Sequence, residues 1–360
     1  ASSPQHTLER TPMTQPQGAH LVGSVNYDDA ETTMRKAAGL LGPLLHRIPD
    51  GEVGRRFHWI MFQPDVLGQT EGLERVGDEP VWLRDLDARP LRIADGVQAD
   101  QLELPALGYA AAAQESYEIF TRLRSEGVIA AGTRFQVSLP TPTAVVGAFF
   151  RGPDQVAIEP VYRAAMYREV DHIAAAIPHE DLAIQWDCAV EFNILETHDQ
   201  PDGGKPWWDG DILTGLVQRA ADAVDQVPED VHVGVHLCYG DVAEKHFVEP
   251  DDTANLVAFG NALVRAGTRT LTWLHLPVPI ERDDDPYFAP LQQLTLNPET
   301  EFYLGLVHRE DGADGANRRI ATAKRHVEEF GVSTECGIGR APEGVTDHIL
   351  RTHAEVAAPW

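Results

Sequence analysis

Cysteine is scarce in this sequence. Only three cysteines occur among 360 residues, at positions 188, 238 and 336. A small, odd set does not make a disulfide framework; it suits a reducing compartment, where thiols are free for chemistry or metal binding. We therefore expect a cytoplasmic protein that is held together by its apolar core.

Long apolar runs and an excess of basic charge are absent as well. No stretch of eighteen apolar residues occurs, so we expect no membrane-spanning helix. The first residues lack the basic and apolar regions of a secretory signal. Acidic side chains outnumber basic ones by 56 to 29, which gives a formal charge of −27. Such a surface repels nucleic acid and anionic lipid, so neither is an expected partner.

Strand-like and helix-like stretches alternate along most of the chain. The predicted strands are apolar enough to be buried on both faces, which is typical of parallel sheets flanked by helices. An open doubly wound sheet is the alternative, but eight consecutive units favour closure into a (β/α)8 TIM barrel. The eight predicted strands cover residues 20–25, 44–48, 133–139, 182–187, 231–237, 270–275, 302–306 and 332–335.

Two stretches do not show this alternation of strands and helices. Residues 1–18 are polar and contain three prolines, so we expect an N-terminal arm. Residues 53–105 show no clear period and are predicted to be a long insertion after strand two that folds over one end of the barrel. The remainder of residues 19–360 is interpreted as one catalytic barrel.

The end of predicted strand five carries two candidate metal ligands. Residues two apart on a strand point to the same side, so His236 and Cys238 should project together. Imidazole and thiolate are both good zinc ligands. Cys336 follows predicted strand eight, and the carboxyl ends of barrel strands share one rim, where active sites lie. These three residues therefore predict a metal site.

Other polar side chains fall at the same predicted rim. Because they lie at the ends of several different strands, barrel closure would gather them around the cysteines. Cys188 is expected to be structural, and Trp207 and Trp208 are expected to pack a long loop. The further rim residues are Gly23, Ser24, Glu52, Asp187, His275 and His308.

Six short motifs, spread in order over residues 20–340, carry a resemblance to a known family. They are Val22-Gly23-Ser24, Asp50-Gly51-Glu52, Gln185-Trp186-Asp187, His236-Leu237-Cys238-Tyr239, Val307-His308 and Cys336-Gly337. With them the chain resembles the catalytic barrel of cobalamin-independent methionine synthase and its relatives in the superfamily that includes uroporphyrinogen decarboxylase. The His-x-Cys-Tyr motif with a distant Cys-Gly is fairly specific, whereas the other motifs are weak alone.

The resemblance implies a zinc site. It assigns His236, Cys238 and Cys336 as ligands, and the family's fourth ligand is a glutamate on the next strand. This sequence has His275 near that position, and imidazole can serve zinc as well as carboxylate does. The implied cofactor is Zn²⁺, with His275 as the candidate fourth ligand.

The resemblance also implies substrate contacts. Val22, Gly23, Ser24 and Glu52 would hold the amino-acid part of a thiol substrate, Asp187 would help to bind its ammonium group, and His308 would protonate the departing donor atom. Cys188 stands where the family has glutamate, and the family's long N-terminal half is absent. We therefore expect a zinc-dependent methyltransferase with a thiol acceptor, whose methyl donor is folate, a corrinoid protein or a methylated small molecule.

Two other functions remain open from the sequence. One is a metal-free decarboxylase or lyase of the uroporphyrinogen decarboxylase type, in which Glu52 and Asp187 act as acid and base. The other is a non-catalytic protein that binds metal or thiols through a degenerate site.

Overall fold

Parallel strands form the centre of the molecule. The computed structural model describes residues 15–241 and 245–360, so most of the expected N-terminal arm lies outside the described residues. Its strands are β1 (Arg47–Pro49), β2 (Leu73–Arg75), β3 (Trp82–Leu83), β4 (Leu86–Asp87), β5 (Leu91–Ile93), β6 (Arg134–Pro140), β7 (Leu182–Cys188), β8 (His232–Leu237), β9 (Trp273–Pro277), β10 (Glu301–Val307) and β11 (Gly331–Thr334). Seven of them make one curled parallel sheet in the order β1-β6-β7-β8-β9-β10-β11.

Helices cover this sheet and alternate with its strands. They are α1 (Ala30–Leu41), α2 (Gln63–Leu67), α3 (Tyr109–Ser125), α4 (Pro142–Phe149), α5 (Pro153–Ala176), α6 (Val190–Thr197), α7 (Ile212–Gln226), α8 (Ala254–Ala266), α9 (Asp285–Phe288), α10 (Gly312–Ala323) and α11 (Thr346–Val356). In both ranges that the structure describes, none of the helices has the length and apolar character needed to cross a membrane.

Local sequence explains where several helices begin. The Asp29 side chain accepts a hydrogen bond from the Thr32 backbone N–H at 2.6 Å, and Asp211 does the same for Thr214 at 2.8 Å. Such caps satisfy backbone donors that the first turn of a helix leaves free. Strand residues are buried on both faces: all seven residues of β7 are buried, as a sheet packed between helices requires.

The α/β class and the parallel sheet are confirmed, but the sheet is not closed into a regular eight-stranded barrel. Residues 20–25, predicted as the first strand, do not form a continuous strand. This segment lies between the edge strands β1 and β11, where Ala19 makes isolated parallel bridges to Leu45 and to Val332. The remaining bridges of the segment join Ser24 to Gly51 and Val25 to Ile338.

Buried side chains explain why the segment stays irregular. The carbonyl groups of Leu21 and Val22 accept hydrogen bonds of 2.6–3.1 Å from the side chains of Gln136, Ser138 and Gln185, which project from β6 and β7. These carbonyls are therefore turned toward side chains inside the sheet and not toward the backbone of a neighbouring strand. Ladder pairing cannot continue through residues whose acceptors are used in this way.

Residues 53–105, predicted as an insertion after strand two, carry two small antiparallel pairs, β2 with β5 and β3 with β4. A buried polar network anchors this region. Gln63 donates to the Leu107 carbonyl at 3.1 Å and accepts from the Tyr162 hydroxyl at 2.8 Å. Glu169, on α5, accepts from the backbone N–H groups of Leu107 at 2.7 Å and Ala110 at 2.6 Å, at the start of α3.

Replacement of Glu169 should therefore destabilise the fold. Glu169 is 3% exposed, and Glu169→Gln leaves only one acceptor oxygen for two buried N–H donors. We expect a loss of roughly 1–3 kcal/mol in the free energy of unfolding, because a buried donor without a partner retains its desolvation cost. Urea denaturation measures the loss. The control is Glu118→Gln, at an exposed position of α3, and equal stability of the two variants would contradict the capping role.

Candidate metal centre and adjoining cleft

Strand register brings three predicted site residues into one row. Asp187 on β7 is paired with His236 on β8, and His236 is paired with His275 on β9. Asp187 and His236 lie next to the last residue of their strands, as predicted, whereas His275 lies in the middle of β9, which continues two residues beyond the predicted strand end. Adjacent strands are about 4.8 Å apart, so the row is continuous across the sheet.

A candidate metal centre adjoins this row. One ligand atom from each of His236, Cys238 and Cys336 lies within 4.8 Å of the others. The two sulfur atoms are 3.5 Å apart, and the Gly240 backbone N–H donates to the Cys238 sulfur at 3.3 Å. Two strand ends nearly a hundred residues apart thus bring together three side chains that could hold a metal ion.

His275 contacts this centre through His236. The Nδ1 atoms of the two rings are 2.7 Å apart, and Nε2 of His275 lies 2.9 Å from the Thr334 carbonyl oxygen. Burial lowers the pKa of His275 to about 4 and holds the pKa of His236 well below its usual value. Both rings are therefore neutral at pH 7, and Nε2 of His236 is buried with no hydrogen-bond partner in the described part of the chain.

The surroundings of Cys336 disfavour its thiolate form. The hydrogen bond with the Cys238 thiol is the largest cause that raises the pKa of Cys336 well above its usual value, and burial is the next. A thiolate here needs a compensating positive charge. This is the environment in which coordination to a cation, rather than solvent, produces the reactive form.

The Val22–Ser24 segment lies beside the loop that follows Cys336. The Gly339 backbone N–H donates to the Ser24 hydroxyl at 3.2 Å. A Cβ atom on Gly23 would overlap the Glu52 carboxylate, so a side chain at position 23 would displace that carboxylate. Glu52 itself has a left-handed backbone with φ of 52°, a strained conformation for a residue other than glycine.

Two buried carboxyl groups face this region. Burial raises the pKa of Glu52 to about 7, although nearby Arg56 lowers it. Burial likewise raises the pKa of Asp187 well above its usual value, and the charge on Glu52 adds to this rise. Gln185 donates to Asp187 at 2.9 Å. Neither carboxylate forms a salt bridge with any residue in 15–241 or 245–360.

His308 lines a cleft of about 510 Å³ together with Cys238 and Cys336. Its Nε2 atom lies 2.8 Å from the carbonyl oxygen of Val278. Burial lowers the pKa of His308, while the negative charge of Glu335 opposes the change. The structure therefore places the predicted proton donor in the same cleft as the candidate ligands.

Sequence analysis missed an ionic group at this cleft. Glu335 lies 2.9 Å from Nε2 of His246, whose Nδ1 lies 2.8 Å from Glu249. Arg340 pairs with Asp241 in the same cleft. Glu335 directly follows β11, so the same search for polar residues at the carboxyl ends of strands could have found it.

The remaining predicted residues pack as expected. Cys188 is fully buried. The Trp207 indole N–H donates to Glu159 at 2.8 Å, and the Arg219 guanidinium lies 3.9 Å from the centre of the Trp208 ring. Trp207 and Trp208 thus pack through Glu159 and Arg219.

The fold and the centre together define a curled parallel α/β protein with a His-Cys-Cys cluster at its strand ends. No family model matches the chain, and no curated protein matches it. A solved structure from Listeria monocytogenes, described as a candidate vitamin-B12-independent methionine synthase, is similar at 13% identity and a TM-score of 0.56. The match covers 96% of this chain and 99% of that one, and at this identity it establishes a shared fold alone.

Two further structures align over most of the chain with lower scores. A methyltransferase from Methanosarcina mazei matches at 10% identity and a TM-score of 0.47, with 96% of this chain and 95% of that chain covered. A structure from Burkholderia cenocepacia J2315, described as a lyase or mutase, matches at 13% identity and a TM-score of 0.39, with 96% and 89% covered.

The His246 ion pairs should make stability depend on pH. Burial alone would lower the pKa of His246, but Glu335 and Glu249 outweigh it and raise the pKa to about 9. A raised folded-state pKa gives stabilisation that is complete below about pH 6.5 and is lost as the pH rises through about 9. We expect the difference in unfolding free energy between the wild type and His246→Gln to follow this course.

Urea denaturation at pH 6 and pH 9.5, at equal metal content, measures this difference. His198→Gln, at an exposed position away from the cleft, is the control and should change stability little. A difference between wild type and His246→Gln that stays the same at both pH values would contradict the ion-pair explanation.

Proposed function

We propose that this chain is a zinc-dependent methyltransferase that moves a methyl group to a thiol. The observation that carries the proposal is the trio of buried His236, buried Cys238 and half-buried Cys336, in which Nε2 of His236 has no hydrogen-bond partner among the described residues. A buried polar atom without a partner costs about 1–3 kcal/mol. A metal ion that accepted its lone pair would remove this cost.

The donor set and its spacing fit zinc. One imidazole and two thiolates are ligands that zinc prefers, and thiolates bound at about 2.3 Å in a tetrahedron lie about 3.8 Å apart. The two sulfur atoms here are 3.5 Å apart. Three protein ligands leave one tetrahedral position for a substrate atom, and the cleft that contains both cysteines gives access to it.

Buried acidic groups would bind the amino-acid part of the acceptor. When bound, zinc would hold the substrate thiol as a thiolate, the nucleophilic form. We assign Glu52 and Asp187 to the ammonium group of the acceptor, because both are buried and neither has a salt-bridge partner in the described ranges. The backbone at Val22–Ser24 lies beside Glu52 and would contact the rest of the amino-acid part.

His308 would supply the proton that the methyl donor needs. As the sulfur–carbon bond forms, the bond from the methyl carbon to its donor atom breaks, and the electron pair stays on that donor atom, which is then protonated. The Val278 carbonyl accepts a hydrogen bond from Nε2 of His308, so Nδ1 is the atom that would deliver the proton.

The cleft favours a methyl donor without high negative charge. Its lining includes five acidic side chains, at positions 241, 249, 281, 310 and 335, against three basic ones, at 245, 309 and 340, and His246, whose pKa is raised to about 9. The small acidic excess of this lining adds to the charge of −27 on the whole chain, which would repel a polyglutamylated folate. A corrinoid protein or a methylated small molecule is the donor we favour.

One observation supports a second candidate function. Glu52, with its pKa raised to about 7, and Asp187 form a buried acid–base pair that could serve a metal-free decarboxylase or lyase. Such an enzyme would remain active after complete removal of metal. Activity that survives chelation, together with loss of that activity in Glu52→Gln, would select this function over methyl transfer.

Metal content tests the zinc site. Protein purified without added metal should contain about one zinc per chain by elemental analysis. Cys336→Ser should weaken zinc binding at least about tenfold and abolish methyl transfer, because it removes a charged ligand. Cys188→Ala, which removes a buried thiol outside the trio, is the matched control and should retain zinc. Less than about 0.2 zinc per wild-type chain, with loss during purification excluded, would contradict the proposal.

The role of His308 can be tested by its pH dependence. His308→Gln keeps a donor for the Val278 carbonyl but cannot deliver a proton, so we expect kcat to fall by roughly 10²-fold or more. The pKa of His308 is lowered, and its acid form is depleted as the pH rises through that pKa. The wild-type rate should therefore fall as the pH rises. Single-turnover rates between pH 5 and 8 measure this. A parallel decline in His308→Gln would assign the pH dependence to another group.

A further inference from the structure

His275 is engaged through both of its ring nitrogens. It is fully buried on β9, with Nδ1 facing Nδ1 of His236 at 2.7 Å and Nε2 facing the Thr334 carbonyl at 2.9 Å. The His20 ring is 6.0 Å away between centroids. No carboxylate is paired with either His275 or His236 in the residues described.

These contacts determine the position of each hydrogen. A carbonyl oxygen only accepts, so Nε2 of His275 carries a hydrogen. A neutral imidazole has one N–H group, which leaves Nδ1 of His275 as an acceptor. The hydrogen between the two rings must therefore belong to Nδ1 of His236. Nε2 of His236, the atom with no partner, is then left with a free lone pair.

We propose that His275 is a positioning residue: together with the Thr334 carbonyl it holds His236 in the Nδ1–H tautomer and orients Nε2 as the metal-binding atom. The inference rests on the proposed zinc site. It assigns the metal three protein ligands, His236, Cys238 and Cys336, and leaves the fourth position to the substrate thiol.

The surrounding structure opposes direct coordination by His275. To bind a metal, its ring would have to give up the hydrogen bond to His236 or the one to Thr334. Pairing of His275 with His236 on β8 and with Tyr303 on β10 fixes the backbone from which the ring projects. A histidine that hydrogen-bonds a metal-binding histidine fixes its tautomer, and its loss typically weakens metal binding by about 10–100-fold.

Nitrogen NMR on zinc-free protein labelled with ¹⁵N-histidine tests the inference without reference to catalysis. We expect neutral rings at pH 7.5, with His236 protonated on Nδ1 and His275 on Nε2. Signals are assigned by comparison with His236→Gln and His275→Gln. A His236 ring that carries its hydrogen on Nε2, or a cationic pair, would overturn the inference whether or not the protein is a methyltransferase.

Two substitutions of His275 distinguish orientation from coordination. An amide offers one acceptor and one donor, as the neutral ring does, so His275→Gln should keep zinc affinity within about threefold of wild type. His275→Leu should weaken it by about 10–100-fold in chelator competition. Equal losses in the two variants would overturn the inference, because glutamine is a poor zinc ligand but a good hydrogen-bonding substitute.

X-ray absorption of the zinc-loaded wild type gives an independent count of ligands. One imidazole and two sulfur atoms per zinc are expected, and two imidazoles would overturn the inference. This measurement requires only the folded wild type, and the NMR uses only the glutamine variants for assignment, so a His275→Leu chain that fails to fold does not remove the test. Absence of zinc from all forms would instead refute the proposed function, while the tautomer measurement would still decide the role of His275.

Discussion

The hydrogen bonds to the Val22 carbonyl are the constraint on which the candidate site depends. Side chains of Gln136, Ser138 and Gln185 all reach this one oxygen from inside the sheet. They hold an irregular segment between the two edge strands, to which isolated bridges rather than a continuous ladder connect it. Because that segment is held in place, Ser24 contacts the loop after Cys336. The Val22–Ser24 segment is thereby placed beside the candidate metal centre.

Acidic groups with little access to solvent are the second organising feature. The raised pKa values of Glu52, Asp187 and Cys336 reflect the cost of ionising these groups. Such a group is stable when protonated, or when cations are supplied from outside. A metal ion would supply positive charge to the cysteines, and a substrate ammonium group would supply it to Glu52 and Asp187.

Much of this arrangement followed from local patterns in the sequence. The period-two alternation before His236 and Cys238 predicted their shared direction, and strand order predicted that Cys336 would join them. The irregular segment was not predictable, because residues 20–25 form a short apolar stretch like that of a strand and the side chains that bind its carbonyls are over a hundred residues away. His246 was missed because it lies in a loop whose partner, Glu335, is brought close only by the fold.

The row formed by Asp187, His236 and His275 has a consequence for how this protein can vary. Side chains on a strand alternate between its faces. One inserted or deleted residue within β7, β8 or β9 would therefore turn the site side chain of that strand to the opposite face of the sheet. Changes in length are thus confined to the loops beyond the strand ends. Relatives should differ freely in the lengths of these loops while the spacing within each of the three strands stays constant.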